Sequence, residues 1–206
     1  MKHLHKKLFA SLVPGVLGIT LLAACGTPPP VPDDSFYRLT PRTAEAGTLV
    51  LDGVVEIDRF VASGSLANRP LLFSDKGSNA VNEYHYHFWI EAPPILLQGA
   101  LVSYLRSDGL AKRVVTPEMR VKPDYTIVGR ILRLETMRGS PPTAMVAFEL
   151  TLRRHSDGEL LVLDEYRAEI PSAKTGVETD VSALEKAVDE AFANFVTDIR
   201  KSVPGP

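Results

Sequence analysis

Three consecutive stretches, Tyr125 to Leu134, Ala144 to Leu152 and Leu160 to Ile170, are rich in β-branched and apolar residues and are separated only by compact turns. Strands joined so tightly leave no room for a crossover and run antiparallel. The first turn is Arg138-Gly-Ser-Pro-Pro-Thr143, and the second carries Ser156-Asp157-Gly158, with the Asp-Gly pair of a tight hairpin. On the middle run Val146, Phe148, Leu150 and Leu152 share one face, and Glu149 and Thr151 take the other. A sheet with one apolar face needs a cover. The chain supplies it downstream: Leu184, Ala187, Val188, Ala191, Phe192, Phe195, Val196 and Ile199 recur at three-and-four spacing, with Glu185, Asp189, Glu190 and Asp198 off that stripe. Ser182-Ala-Leu-Glu185 reads as a capping box that opens this helix.

The upstream half adds shorter elements. Leu49, Leu51, Val55 and Ile57 alternate with Asp52, Glu56 and Asp58, which predicts a half-buried strand over 49–58. Pro70 to Phe73 is a short apolar piece, Glu83 to Ile90 is an aromatic strand, and Ala111 to Val115 reads as an edge. A helix is expected from Pro93-Pro94, where proline suits the first turn, to Gly109, a natural C′ residue. Its apolar stripe is Leu97, Leu101, Tyr104 and Leu105. The expected fold is α+β, a mainly antiparallel sheet of six or seven strands packed against two helices.

The single cysteine, Cys25, sits at the end of an apolar run and just before a proline cluster. Lys2, Lys6 and Lys7 precede an apolar stretch from Leu8 to Leu22, and Ala23 and Ala24 follow, the pattern of a secretory leader. About twenty apolar residues are needed to span a bilayer, and this run is shorter and interrupted by Pro14 and Gly15. Leu22-Ala23-Ala24-Cys25 resembles the bacterial lipobox. That resemblance implies diacylglycerol transfer to the Cys25 sulfur, cleavage before it, and acylation of the new amino group. Two or more acyl chains make anchoring stable where one is marginal. Gly26 stands where an inner-membrane retention signal would have Asp, which points to the outer membrane. Residues 1–24 are therefore expected to be a signal peptide, 25–35 a lipidated cysteine with a proline-rich spacer, and 36–203 a single α+β domain. Without the leader, 20 basic residues face 25 acidic ones, a formal charge of −5. With no basic run, the chain lacks the footprint of a nucleic-acid binder.

The stretch Glu83-Tyr-His-Tyr-His-Phe-Trp89 is the strongest hint of chemistry. On a regular strand, Glu83, His85, His87 and Trp89 share one face, a set with the chemistry of metal ligands. The plainer reading is preferred: Tyr84, Tyr86 and Phe88 enter the core and the histidines meet water, with no metal or other cofactor. Trp89 then packs under the first helix rather than forming an interface. Ser63-Gly64-Ser65 lacks a nucleophile elbow, and His155-Ser156-Asp157 are adjacent in a turn, whereas a triad is assembled by geometry. No catalytic residues are assigned.

Phe36-Tyr37-x-Leu39 soon after the cysteine, Asp58-Arg59 after the first long strand, and Trp89 before the first helix occur in an order that resembles the ABC-type transport auxiliary lipoproteins, a PqiC-like family. The resemblance covers nearly the whole mature chain. It implies a non-enzymatic outer-membrane component of an intermembrane phospholipid transport system, working with inner-membrane proteins that bear MCE domains. An outer-membrane assembly or envelope-integrity lipoprotein that binds protein partners is the alternative. Contact with the partner is expected through Arg59, Phe60, Leu66, Arg69 and Lys76, on an exposed edge and its loops, with phospholipid contact and self-association left open.

Overall fold

Strand β6 (Tyr125–Arg138) organises the sheet. Ile127, Ile131 and Leu134 of this strand are buried. Their spacing changes from even to odd because the ladder shifts between Ile131 and Arg133, leaving Leu132 as the extra, outward residue of a bulge. One edge of β6 pairs with β7 (Thr143–Arg154), which pairs with β8 (Leu160–Pro171), both antiparallel. This is the expected meander, and Val146, Phe148, Leu150 and Leu152 are fully buried. The computed structural model describes residues 31–40 and 46–203. The leader, Cys25 and most of the spacer lie outside the described residues, and the chain from Asp34 onward forms one compact unit.

The other edge of β6 carries two strands in series. β2 (Leu51–Ile57) runs parallel to it over Tyr125–Ile127, a bridge joins Val61 to Arg130, and β3 (Pro70–Asp75) runs parallel over Thr136–Arg138. β5 (Ala111–Val115) adds to β2 in parallel, at the edge where it was expected. β4 (Val81–Trp89) adds antiparallel to β3, and its far side takes a three-residue strand, β1 (Ser35–Tyr37), in parallel. The sheet of eight strands is thus mixed, not mainly antiparallel, with four of its seven pairings parallel. Hairpins set direction only from β3 to β4 and from β6 to β8. β2 and β3 meet β6 only after the chain has passed through α1 (Pro93–Asp108), and such long returns favour parallel pairing.

Helix α1 starts and stops where its sequence says. Pro93 takes the first turn, and Gly109 adopts φ 74°, a left-handed cap whose N–H returns to the Leu105 carbonyl. Leu97, Leu101 and Leu105 are fully buried. Gln98 is buried beside them and donates from Nε2 to the Ile57 carbonyl at 2.8 Å, tying the helix to the end of β2.

Helix α2 (Val177–Ser202) packs across β8, β7 and β6 but begins earlier than its capping-box pattern. Val177 and Val181 extend the apolar stripe backwards from Leu184, so the helix gains burial by starting at Gly176. Ser182 and Glu185 fall inside it, and Glu185 Oε1 instead accepts the Thr40 backbone N–H at 2.9 Å. At the other end Arg200 reaches Asp108 and the Thr48 carbonyl, joining the close of α2 to the close of α1.

Trp89 is 1% exposed and lies in the main core. Its backbone N–H donates to the Arg69 carbonyl at 2.7 Å, which fixes the end of β4, while the indole is held by its burial in the core. Trp89→Ala should cost ~3–5 kcal/mol of unfolding free energy in urea melts. A loss below ~1 kcal/mol would contradict this burial.

Candidate functional site

The aromatic strand is turned over relative to its sequence pattern. The parallel register with β1 sets Tyr37 beside Trp89, Phe36 beside Phe88 and Ser35 beside His87. Since Trp89 is buried, Tyr37 and His87 share the core side, and Phe36 and Phe88 face outward. The cause is a bulge: from Phe88 to Glu83 the chain takes five steps against two from Pro70 to Leu72, so simple alternation is lost along β4. Tyr84 is half-buried, 4.8 Å from Phe73 and 5.6 Å from His87 between ring centroids.

The two histidines therefore have different surroundings. His87 Nδ1 shares a hydrogen bond of 2.9 Å with the Tyr37 hydroxyl, which also donates to Glu178 Oε1 at 3.4 Å. Burial first, and then the Glu178 charge, push the Tyr37 hydroxyl above the usual tyrosine range. His85 is exposed, 6.4 Å from the Tyr86 ring. Glu83 is exposed as well, and among the described residues no three His, Cys, Asp or Glu side chains gather into a metal-holding group.

Beside this network lies a second one, which sequence reasoning missed. The Arg138 guanidinium sits 3.3 Å from the Phe73 ring centroid and 5.7 Å from that of Tyr84. Asp180, 5% exposed, accepts a 2.6 Å hydrogen bond from Ser172 Oγ. Burial raises its carboxyl above the ordinary range, opposed by the Ser172 bond and the Arg138 charge. The signal was present: Asp180 falls on the apolar stripe, three residues after Val177 and four before Leu184. Together these contacts pin the first turn of α2 to β1 and to Ser172 after β8, while β4 is held to Tyr37 and Arg138 of β6 to Phe73 and Tyr84. These contacts bind and orient the elements they join.

The five residues expected to meet a partner are not one surface. Phe60 is 3% exposed, its ring set edge-on to Phe148 at 6.0 Å. It fits because position 129 is glycine: a Cβ there would come within 2.5 Å of the Phe60 ring. Phe60 thus fastens the link between β2 and β3 to the core and is unavailable to a partner. Arg59 is exposed and pairs with Glu118 at 3.8 Å, and Lys76 is exposed beyond β3. Leu66 is half-buried in a short 3₁₀ turn, Gly64–Ala67, that also contains the Ser65 of the Ser63-Gly64-Ser65 motif. Arg69 lies over the Phe36 ring at 5.1 Å and donates from Nε to the Trp89 carbonyl at 3.0 Å. β3 itself is flanked by β4 and β6, so this segment is loops and an interior strand rather than a sheet edge.

The His155-Ser156-Asp157 turn is also resolved into separate contacts. His155 Nε2 shares a 2.7 Å hydrogen bond with Thr126 Oγ1, and Asp157 takes both oxygens to Arg154. The Arg154 bonds hold the Asp157 carboxyl below its usual range.

Asp180 gives this region a pH signature. A carboxyl whose pKa is higher in the folded state than its unfolded value near 3.8 favours folding when protonated, and that contribution is lost as pH rises through the raised pKa. The difference in unfolding free energy between wild type and Asp180→Asn should therefore move in favour of wild type as urea melts are taken from pH 7 towards pH 4. A difference constant across that range would contradict the raised pKa.

Comparison with known proteins agrees with this frame. A crystal structure of a Xanthomonas campestris protein of the DUF330 family superposes with a TM-score of 0.68 at 17% identity, over 79% of this chain and 92% of that one. A second crystal structure, of an uncharacterized protein, gives 0.66 at 16% identity over 82% and 99% of the two chains. At these identities the likeness is one of fold. No curated protein matches the chain. The family model described as the ABC-type transport auxiliary lipoprotein component matches residues 37–195, from the tyrosine of β1 almost to the end of α2, and the chain belongs to that family.

Proposed function

We propose that this protein is a lipid-anchored component, on the periplasmic side of the outer membrane, of an MCE-type system that moves phospholipid between membranes, and that it docks rather than catalyses. The observation that carries the reading is the family match over residues 37–195. Support for the anchor comes from Leu22-Ala23-Ala24-Cys25, and for the outer membrane from Gly26. The stretch after Cys25 is rich in proline, a composition that suits a semi-rigid linker between the lipid anchor and the domain. The side-chain contacts around Tyr37, His87, Glu178 and Asp180 support a positioning role, since their hydrogen bonds join β1 to β4, β1 to α2, and α2 to Ser172.

Docking is assigned to the β2–β3 link, through Arg59 and Leu66, and to the β3–β4 turn, through Lys76. Arg59 and Lys76 are solvent-exposed cations, and the exposed Arg59–Glu118 pair is weak enough to exchange for a partner carboxylate. The test combines anchor and partner in cells. Cys25→Ala should lose palmitate label and wild type should fractionate with outer membrane; equal label would overturn the anchor. Photo-crosslinkers at 59, 66 and 76 should capture an MCE-domain protein, with none captured from Leu163 on β8. Capture of an outer-membrane assembly protein instead would favour an envelope-integrity role.

A further inference from the structure

The outward side of β1 and the end of β4 is an apolar strip. Phe36 is 53% exposed, Tyr86 36% and Ile90 37%, and Phe88 is half-buried between them. Phe36 and Phe88 are register partners with ring centroids 5.8 Å apart. Single exposed apolar residues are ordinary, but a run of them on adjoining strands marks a contact surface. Arg69 is held over Phe36, and the exposed Arg38 follows two residues after it. The exposed acids nearby are Asp34, Glu83 and Glu91. Aromatic bodies with a phenol or a planar cation at the rim suit the boundary between lipid tails and water, where one end is apolar and the other wet.

We propose that this strip, Phe36, Tyr86, Phe88 and Ile90 with Arg69, rests on a phospholipid bilayer surface. The proposal rests on the reading of Cys25 as the lipid attachment site. Its occupant follows from the chain's own order. Phe36 comes eleven residues after Cys25, a length that spans ~34 Å at the polyproline rise of about 3.1 Å per residue and no more than ~40 Å at full extension. The tether thus enters the fold at the strip itself, and among the described residues Phe36 is the first exposed apolar side chain carried on a strand after the anchor. An interfacial contact needs only shallow insertion of the apolar side chains. The acyl chains supply the affinity, and the strip fixes which way the domain faces, leaving Arg59, Lys76 and the β6–β8 meander to the periplasm.

The full chain, purified with its native processing and reconstituted into phosphatidylglycerol–phosphatidylethanolamine vesicles, tests this. Nitroxide labels are placed singly through Phe36→Cys, Tyr86→Cys and Leu163→Cys, the last on the strand at the opposite end of the sheet order. Labels at 36 and 86 should lose accessibility to a water-soluble relaxant and gain it to oxygen on vesicles, while the label at 163 stays wet. Mass spectrometry of the same samples reads the lipid on Cys25. A lipidated chain in which 36 and 86 stay as wet as 163 overturns the strip and spares the anchor. Protection at 36 and 86 only after a partner protein is added also overturns it, making the strip a protein surface. A chain with no lipid on Cys25 overturns both.

Discussion

Strand β6 has both of its edges occupied, and the rest of the domain depends on that double occupancy. On one side the meander runs its full length. On the other, the segment from Leu51 to Asp75 lies along it as two short strands with a bridge between. The contacts that seal this second edge are specific. The Asp124 carboxylate accepts the Val54 N–H at 2.7 Å and its own N–H returns to the Val54 carbonyl at 2.9 Å, setting the register where β6 begins. Asp58 and Val61 donate to the Ile127 and Gly129 carbonyls, and Ile131 donates back to Val61. The Phe60 ring then closes over Gly129. A larger residue at 129 would have to displace that ring, so a backbone ladder and an aromatic contact are coupled through one missing side chain.

The two ends of α2 complete the frame. Arg200, reaching Asp108 and Thr48, joins its close to α1, while Glu178 and Asp180 join its first turn to Tyr37 and Ser172. Acidic residues in the first turn and Arg200 and Lys201 in the last also match the helix dipole. Under the proposed lipid anchor the consequence is mechanical. The first strand, β1, is only three residues long, yet it is paired with β4 and bonded to the start of α2, so a load on the preceding segment would pass to the body of the domain.

Much of this was legible in the sequence where the determinants are local. Period-two runs with Asp-Gly and Pro-Pro turns located the β6–β8 meander, and Pro93 and Gly109 marked α1 because a proline and a left-handed glycine act at single positions. What was not legible depends on distant partners. The direction of β2 and β3 is set by β6, some seventy residues on, and nothing in either strand encodes it. β1 is too short to show a period. Along β4 the tyrosine, histidine and tryptophan side chains are amphipathic, so a bulge could exchange their faces with little hydrophobicity signal. Phe60 looked like a surface aromatic in a loop; only Gly129, within a run otherwise rich in β-branched and charged residues, hinted that something packs there. The acid at Asp180, on an apolar stripe, was the readable trace of the α2 anchor point.

Native-state hydrogen exchange tests the sealed second edge most directly. If β2, the Val61 bridge and β3 are part of one unit with β6, the amides of Asp58, Val61 and Ile131 should exchange only through global unfolding, as slowly as amides in the β6–β7 ladder. Exchange of Asp58, Val61 and Ile131 orders of magnitude faster than that ladder would mean that the segment opens by itself and that β6 is held from one side alone.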